Sequence, residues 1–116
     1  PTWYIGELQT DWDDFFEEFK TIDFTGKKVA FYGLGDQYGY PDNFQDGLGI
    51  LAEVVLDNGG ELYGYWPNEG YDFNESLGVA PNGMFYGLAL DEDNQRDESN
   101  DRIEKWVNQI KEELQF

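Results

Sequence analysis

Trp3, in Pro1-Thr2-Trp3-Tyr4-Ile5-Gly6, and Tyr40, in Gly35-Asp36-Gln37-Tyr38-Gly39-Tyr40, are the residues best placed to hold a ligand. The segment with Tyr40 follows an apolar strand-like run, Val29-Ala30-Phe31-Tyr32-Gly33, and precedes a helix-like one. In open α/β sheets ligands bind outside the carboxyl ends of the strands, where such a loop falls. Two aromatic faces brought together there form a slot for a flat conjugated ring, each contact worth about 1 kcal/mol beyond the area buried. Gly35 and Gly39 allow backbone N–H and C=O groups to approach the edge of such a ring. Read singly, each aromatic is better explained as a core or interface residue, and it is the pairing of the two loops that points to a ring. Gly33-Leu34-Gly35 with Gly39 is no dinucleotide fingerprint, because the last spacing is one residue too long.

Composition removes whole classes of chemistry. The 116 residues contain no Cys and no His, which excludes disulfides, thiolate chemistry, Ser-His machinery and the usual zinc ligands. A net charge of −18, from 25 acidic and 7 basic residues, repels phosphate backbones and anionic membranes. It steers the chain toward basic partners at salt-sensitive rates. No apolar run approaches the roughly 18 residues of a membrane span, and no signal-peptide pattern is present. A hydrophobic content of 40% suits one packed domain over residues 1–116.

Helical and strand-like patterns surround the two loops. Thr10 is a candidate N-cap, with Asp13 and Asp14 favourable in the first turn. Trp12, Phe15, Phe16 and Phe19 then form one helical stripe. Lys27 to Gly33 reads as a strand buried on both faces of a parallel sheet. A second helix is expected from Pro41-Asp42, with Phe44, Leu48, Leu51 and Val55 inward and a stop at Asn58-Gly59-Gly60. Gly47 and Gly49 within it call for close packing. Glu61 to Trp66 and Phe85 to Leu90 read as strand pieces separated by the long loop Pro67 to Gly83. A last helix, capped at Asn100 or Asp101, carries Ile103, Trp106, Val107, Ile110 and Leu114 on one face. Alternating strands and helices predict an α/β fold with a parallel sheet.

The two aromatic loops, with Asp42-Asn43-Phe44-Gln45-Asp46 after the second, resemble the flavin-ring loops of long-chain flavodoxins, and the likeness runs along the whole chain. It implies a flavodoxin-like three-layer α/β/α fold of which this chain supplies the strand 4 and strand 5 side with three helices. Strands 1, 2 and 3 of the five-strand order would then lie outside it. The resemblance implies FMN as cofactor, its ring held between Trp3 and Tyr40. Pro1, Thr2, Tyr4, Ile5 and Gly6 would line one side, and Leu34, Gly35, Asp36, Asn43 and Gln45 the ring edge. Asp93 is the matching ribityl contact. The Tyr4-Ile5 peptide matches the bond near flavin N5 that can flip on one-electron reduction. Family members often carry Gly or Asn there, so Tyr4 implies a costlier flip. The Thr-rich phosphate loop of the family has no counterpart in these residues.

The implied role is a low-potential one-electron carrier rather than an enzyme, in the cytoplasm or a plastid stroma. Glu7, Asp11, Asp36, Asp42 and Asp46 would supply the field that disfavours adding electrons. Partners implied are photosystem I and ferredoxin–NADP reductase-type enzymes with basic faces. The competing reading is a flavin-free acidic module that pairs with a complementary chain or a basic partner. Asp91-Glu92-Asp93-Asn94-Gln95 begins like a calcium loop, but Arg96 and Arg102 stand where glycine and a bidentate glutamate belong, so no metal site is expected. Asn74-Glu75-Ser76 is a glycosylation sequon by pattern alone.

Overall fold

A computed structural model of the chain describes residues 10–115. Helix α1 (Thr10–Phe19) leads to one extended run that forms β1 (Lys28–Ala30) and β2 (Tyr32–Leu34). Helix α2 (Asp46–Asp57), strands β3 (Glu61–Tyr63) and β4 (Leu88–Leu90), and helix α3 (Arg96–Glu113) follow. β1 pairs in parallel with β3, Val29 opposite Leu62. β2 pairs in parallel with β4, Gly33 opposite Ala89. The run 28–34 thus has a partner strand cut in two, and residues 64–87 form the excursion between its halves.

The strand pieces are shorter than the apolar pattern predicts. Residues Trp66 and Phe85, expected at their ends, instead make an antiparallel bridge across the neck of the excursion. Each accepts the other's N–H, at 3.0 and 2.8 Å. β4 rejoins the ladder where the Leu88 N–H donates to the Phe31 carbonyl at 3.0 Å. The preceding Gly87 permits this re-entry, since a Cβ there would lie 2.2 Å from the Phe31 oxygen.

Two apolar clusters flank the sheet. In one, Phe19, Leu51 and Val55 are buried with Phe16, Phe24, Val29 and Phe31 against them. In the other, Phe44, Phe85 and Ala89 gather Trp66, Tyr71, Phe73 and Val79 from the excursion. Phe44 and Phe85 meet edge to face, ring centres 5.9 Å apart. The inward stripe of α2 is as expected, with Leu48, Leu51 and Val55 buried and Phe44 just ahead of the helix. Gly49 has its close packing, because a Cβ there would sit 1.9 Å from the Leu77 carbonyl oxygen.

Five expectations need correction. α2 begins at Asp46 and not at Pro41-Asp42, because Gln45 adopts a left-handed conformation (φ 62°) that ends the preceding turns. α3 begins at Arg96, ahead of Asn100. The Asp91 side chain accepts the Asn94 N–H, and its carbonyl accepts the Gln95 N–H, which coils the chain early. Its inward face is also rotated: Arg102 is buried, while Ile103 and Val107 are each 40% exposed. The strand 28–34 is covered on one face only among the described residues. Lys28, Ala30 and Tyr32 stay exposed because α3 packs against β4 and leaves them uncovered. On α1, Phe19 is buried as expected but Phe15 is exposed.

Candidate functional site

The carboxyl ends of β2 and β4 lie side by side, and the loop from Leu34 to Gln45 sits on them. Leu34 ends β2, and the Gly35 N–H donates to the Leu90 carbonyl at 2.9 Å, carrying the ladder one step further. A Cβ on Gly35 would lie 2.9 Å from the Phe44 ring, so close approach requires glycine there.

Asp36 then organises a tight turn. Its carboxylate accepts the N–H groups of Tyr38 and Gly39 at 3.2 and 2.7 Å, and its carbonyl accepts the Tyr40 N–H at 2.9 Å. The Gly39 N–H, and next the Asn94 side-chain amide at 2.8 Å, hold the Asp36 carboxyl below the ordinary carboxylate value. Tyr40, half-buried, is carried on this turn. Asn43 N–H donates to the Tyr40 carbonyl, and its side chain donates to Asp46 at 3.1 Å.

Gln45 is 2% exposed, and its Nε2 donates to both strand ends, to Gly33 at 3.1 Å and Leu90 at 3.0 Å. Its Oε1 is buried without a partner. Burying such a group without a partner costs roughly 1–3 kcal/mol.

The excursion 64–87 fastens the other side of the same loop. Asn74 and Glu75 N–H groups donate to the Pro41 carbonyl at 2.7 and 3.0 Å. Asn74 also donates to Asp42 at 3.0 Å, and the Ser76 hydroxyl donates to the Phe44 carbonyl. Two residues of the sequon pattern thus serve as braces. Asp46 is another: buried at the start of α2, it accepts the Leu77 N–H at 2.7 Å. Of the carboxylates expected around the ring slot, Asp46 is thus a buried one with a bracing bond of its own. Asp42 remains exposed.

The expected site is therefore partly assembled. Leu34, Gly35, Asp36, Tyr40, Asn43 and Gln45 come together at the strand ends, and Asp93 stands beside them, exposed. Asp36, Asp91 and Asp93 bring one carboxylate oxygen each within 4.8 Å of one another. Both Asp91 oxygens are already engaged, by Gln37 and Asn94. Pro1, Thr2, Trp3, Tyr4, Ile5 and Gly6, with Glu7, lie outside the described residues. No local pattern marks Gln37, Ser76 and Asp91 as loop anchors, since their partners lie 32 to 54 residues away. No helix among the described residues is long and apolar enough to cross a membrane.

A flavodoxin family profile matches residues 1–106. The flavodoxin of a Nostoc strain is 57% identical over 114 residues, covering 98% of this chain and 66% of the relative. Flavodoxin 1 of Escherichia coli is 50% identical, with 65% of its length covered. The chain thus spans about 66% of the length of the curated relatives it matches. Among solved structures, a Fusobacterium nucleatum flavodoxin bound to flavin mononucleotide superposes with a TM-score of 0.91 at 38% identity, over 97% of this chain and 67% of that one. With its parallel strands, its split partner strand and its loop at the strand ends, this chain belongs to the flavodoxin family and has the flavodoxin-like fold.

Proposed function

We propose that this chain carries the ring-binding side of a one-electron carrier that uses FMN. The observation that carries the reading is the loop 34–45, built on the carboxyl ends of two parallel strands and braced from both sides. The residues fit the ring and not the phosphate. The loop contains no Lys or Arg, its polar side chains are largely spent on internal bonds, and what remains for a ligand is backbone, Tyr40 and negative charge. That donor set suits an uncharged heteroaromatic edge.

In this reading Tyr40 stacks on one ring face and Trp3 on the other. Gly35, Asp36, Asn43 and Gln45 present backbone groups to the ring edge, Leu34 and residues 1–6 complete the wall, and Asp93 meets the ribityl chain. Bound FMN supplies the one-electron chemistry, and the protein adds no catalytic step of its own. The carboxylates of Asp36, Asp42, Asp91 and Asp93 oppose added negative charge, which makes the reduced carrier a stronger donor. With a net charge of −18, docking favours basic faces, such as those of ferredoxin–NADP reductase-type enzymes and photosystem I. A cytoplasmic or stromal location accords with the absence of cysteine.

The test is Tyr40→Ala in the complete protein carrying this sequence. Loss of one stacking face weakens FMN binding about tenfold. An unchanged affinity in a folded variant would remove Tyr40 from the slot.

A further inference from the structure

We propose that Gln37 is a positioning residue that sets the place of the Tyr38–Tyr40 turn by tying it to the excursion and to the end of β4. The proposal deepens the flavin reading above and rests on it. Gln37 is completely buried although it lies in an exposed-side loop between the half-buried Asp36 and the exposed Tyr38. Every polar group of its side chain is used. Its Nε2 donates to Asp91 Oδ2 at 2.8 Å, beside its own backbone N–H on the same oxygen at 3.1 Å, and its Oε1 accepts the Asp72 N–H. Three segments far apart in sequence meet on one carboxamide.

The bonds around it close a ring. Asn94 donates to both Asp91 oxygens, at 3.1 and 2.9 Å, and also to Asp36 at 2.8 Å. Asp36 and Gln37, adjacent in the chain, are thus both tied to the Asp91–Asn94 corner. The next three residues hang from them through the Tyr38, Gly39 and Tyr40 N–H bonds to Asp36. A turn held at its root by buried, mutually polarising bonds moves only by breaking them. A carboxamide serves at position 37 at any pH, because it donates to a carboxylate and accepts from a peptide N–H at once, whereas a carboxyl can do both only while protonated.

Ionisable groups face this corner from every neighbouring element. They are Asp36 on the loop, Tyr71 on the excursion, Asp91 and Asp93 after β4, and Glu98 and Arg102 on α3, whereas Asp72 contributes its backbone N–H. Gln37→Glu keeps the shape and places a second carboxyl against Asp91. When one proton is shared, the pair reproduces the amide's donation, and when that proton leaves, like charges repel.

The experiment compares Gln37→Met and Gln37→Glu with the parent, each as the complete protein. Amide hydrogen exchange is measured without flavin, and FMN affinity by titration. Gln37→Met is expected to lose about tenfold protection at Gly39 and Tyr40 and about tenfold FMN affinity, with Leu51 and Val55 amides in α2 unchanged. Gln37→Glu is expected to match that loss near pH 8 and to recover toward the parent near pH 5. The proposal is overturned if both variants stay within about twofold of the parent at Gly39 and Tyr40. It is equally overturned if the loss extends to α2 and Gln37→Glu shows no recovery in acid, since Gln37 would then be a general stabiliser. Should Gln37→Met fail to fold, the acid recovery of Gln37→Glu decides alone. A parent that binds no FMN would defeat the flavin reading, and the exchange data would still decide the role of Gln37.

Discussion

The two ends of the sheet are held by opposite means. Behind the strands, α1 and α2 meet through Phe16, Phe19, Phe24, Leu51 and Val55, an apolar cluster with aromatic pairs such as Phe19–Phe24 at 5.5 Å. At the carboxyl end, buried Gln37, Gln45, Asp46 and Asp91 hold the loop through hydrogen bonds, with one acceptor left unsatisfied. Apolar packing is tolerant of small shifts and sums over many weak contacts. A buried polar network fixes direction and fails abruptly when one partner is removed. Apolar packing dominates behind the strands, whereas the loop adds to the packing around Phe44 a set of buried hydrogen bonds that fix its geometry.

Substitutions can separate the two. Phe19→Ala, in the apolar cluster, is expected to cost about 3–5 kcal/mol in denaturant unfolding while the bound-flavin spectrum stays unchanged. A spectral change of the same order as that of Tyr40→Ala would erase the distinction. Asp46→Ala leaves the Leu77 N–H and the Asn43 amide without their acceptor, at about 1–3 kcal/mol, and loosens the excursion. Limited proteolysis should then cut residues 64–87 before the rest of the chain, and uniform cleavage would show the brace to be idle.

Smaller effects sharpen the contrast. Tyr4→Gly relaxes the backbone penalty of the peptide expected near flavin N5 by about 1 kcal/mol, which raises the first one-electron potential by roughly 40 mV. Potentiometry giving equal values for both proteins would remove Tyr4 from that role. The smallest change concerns acid. Asp36 is held below the ordinary carboxylate value, so its contribution is complete above that value and is lost as pH falls through the lowered one. Asp36→Asn should therefore flatten the fall of stability below about pH 4. An acid limb identical to the parent's would place the loss on other carboxylates.

How much of this was legible in the sequence follows the same division. The stripe Phe44, Leu48, Leu51 and Val55 was readable because apolar burial repeats locally at 3.6 residues. The strand at 28–34 was readable because its run is nearly continuously apolar, although that run misled about the face left uncovered among the described residues. The two strand pieces were readable as apolar runs around a polar stretch, and that they are halves of one split strand came from the resemblance. The start of α3 was not, because its first turns are polar all round and are launched by Asp91 rather than by a cap of their own. Nor was the rotation of α3: Arg102 buries its guanidinium 4.3 Å over the Tyr71 ring, where a charge count puts it in solvent. That phenol, itself desolvated, is pushed up to about 12. The resemblance pointed to the loop residues Gly35, Asp36, Asn43 and Gln45, which come together at the strand ends, whereas nothing in the sequence pointed to the bracing roles of Gln37 and Asp46. Their partners are distant in sequence, and long-range polar pairing has no local period to betray it.

The measurement that bears most directly on the central claim is an FMN titration of the complete protein, followed by quenching of flavin fluorescence. The account predicts one FMN per chain, with fluorescence quenched by stacking on aromatic side chains and affinity lowered by Tyr40→Ala. Fluorescence that stays unquenched at micromolar protein would contradict it and favour a flavin-free acidic binding module.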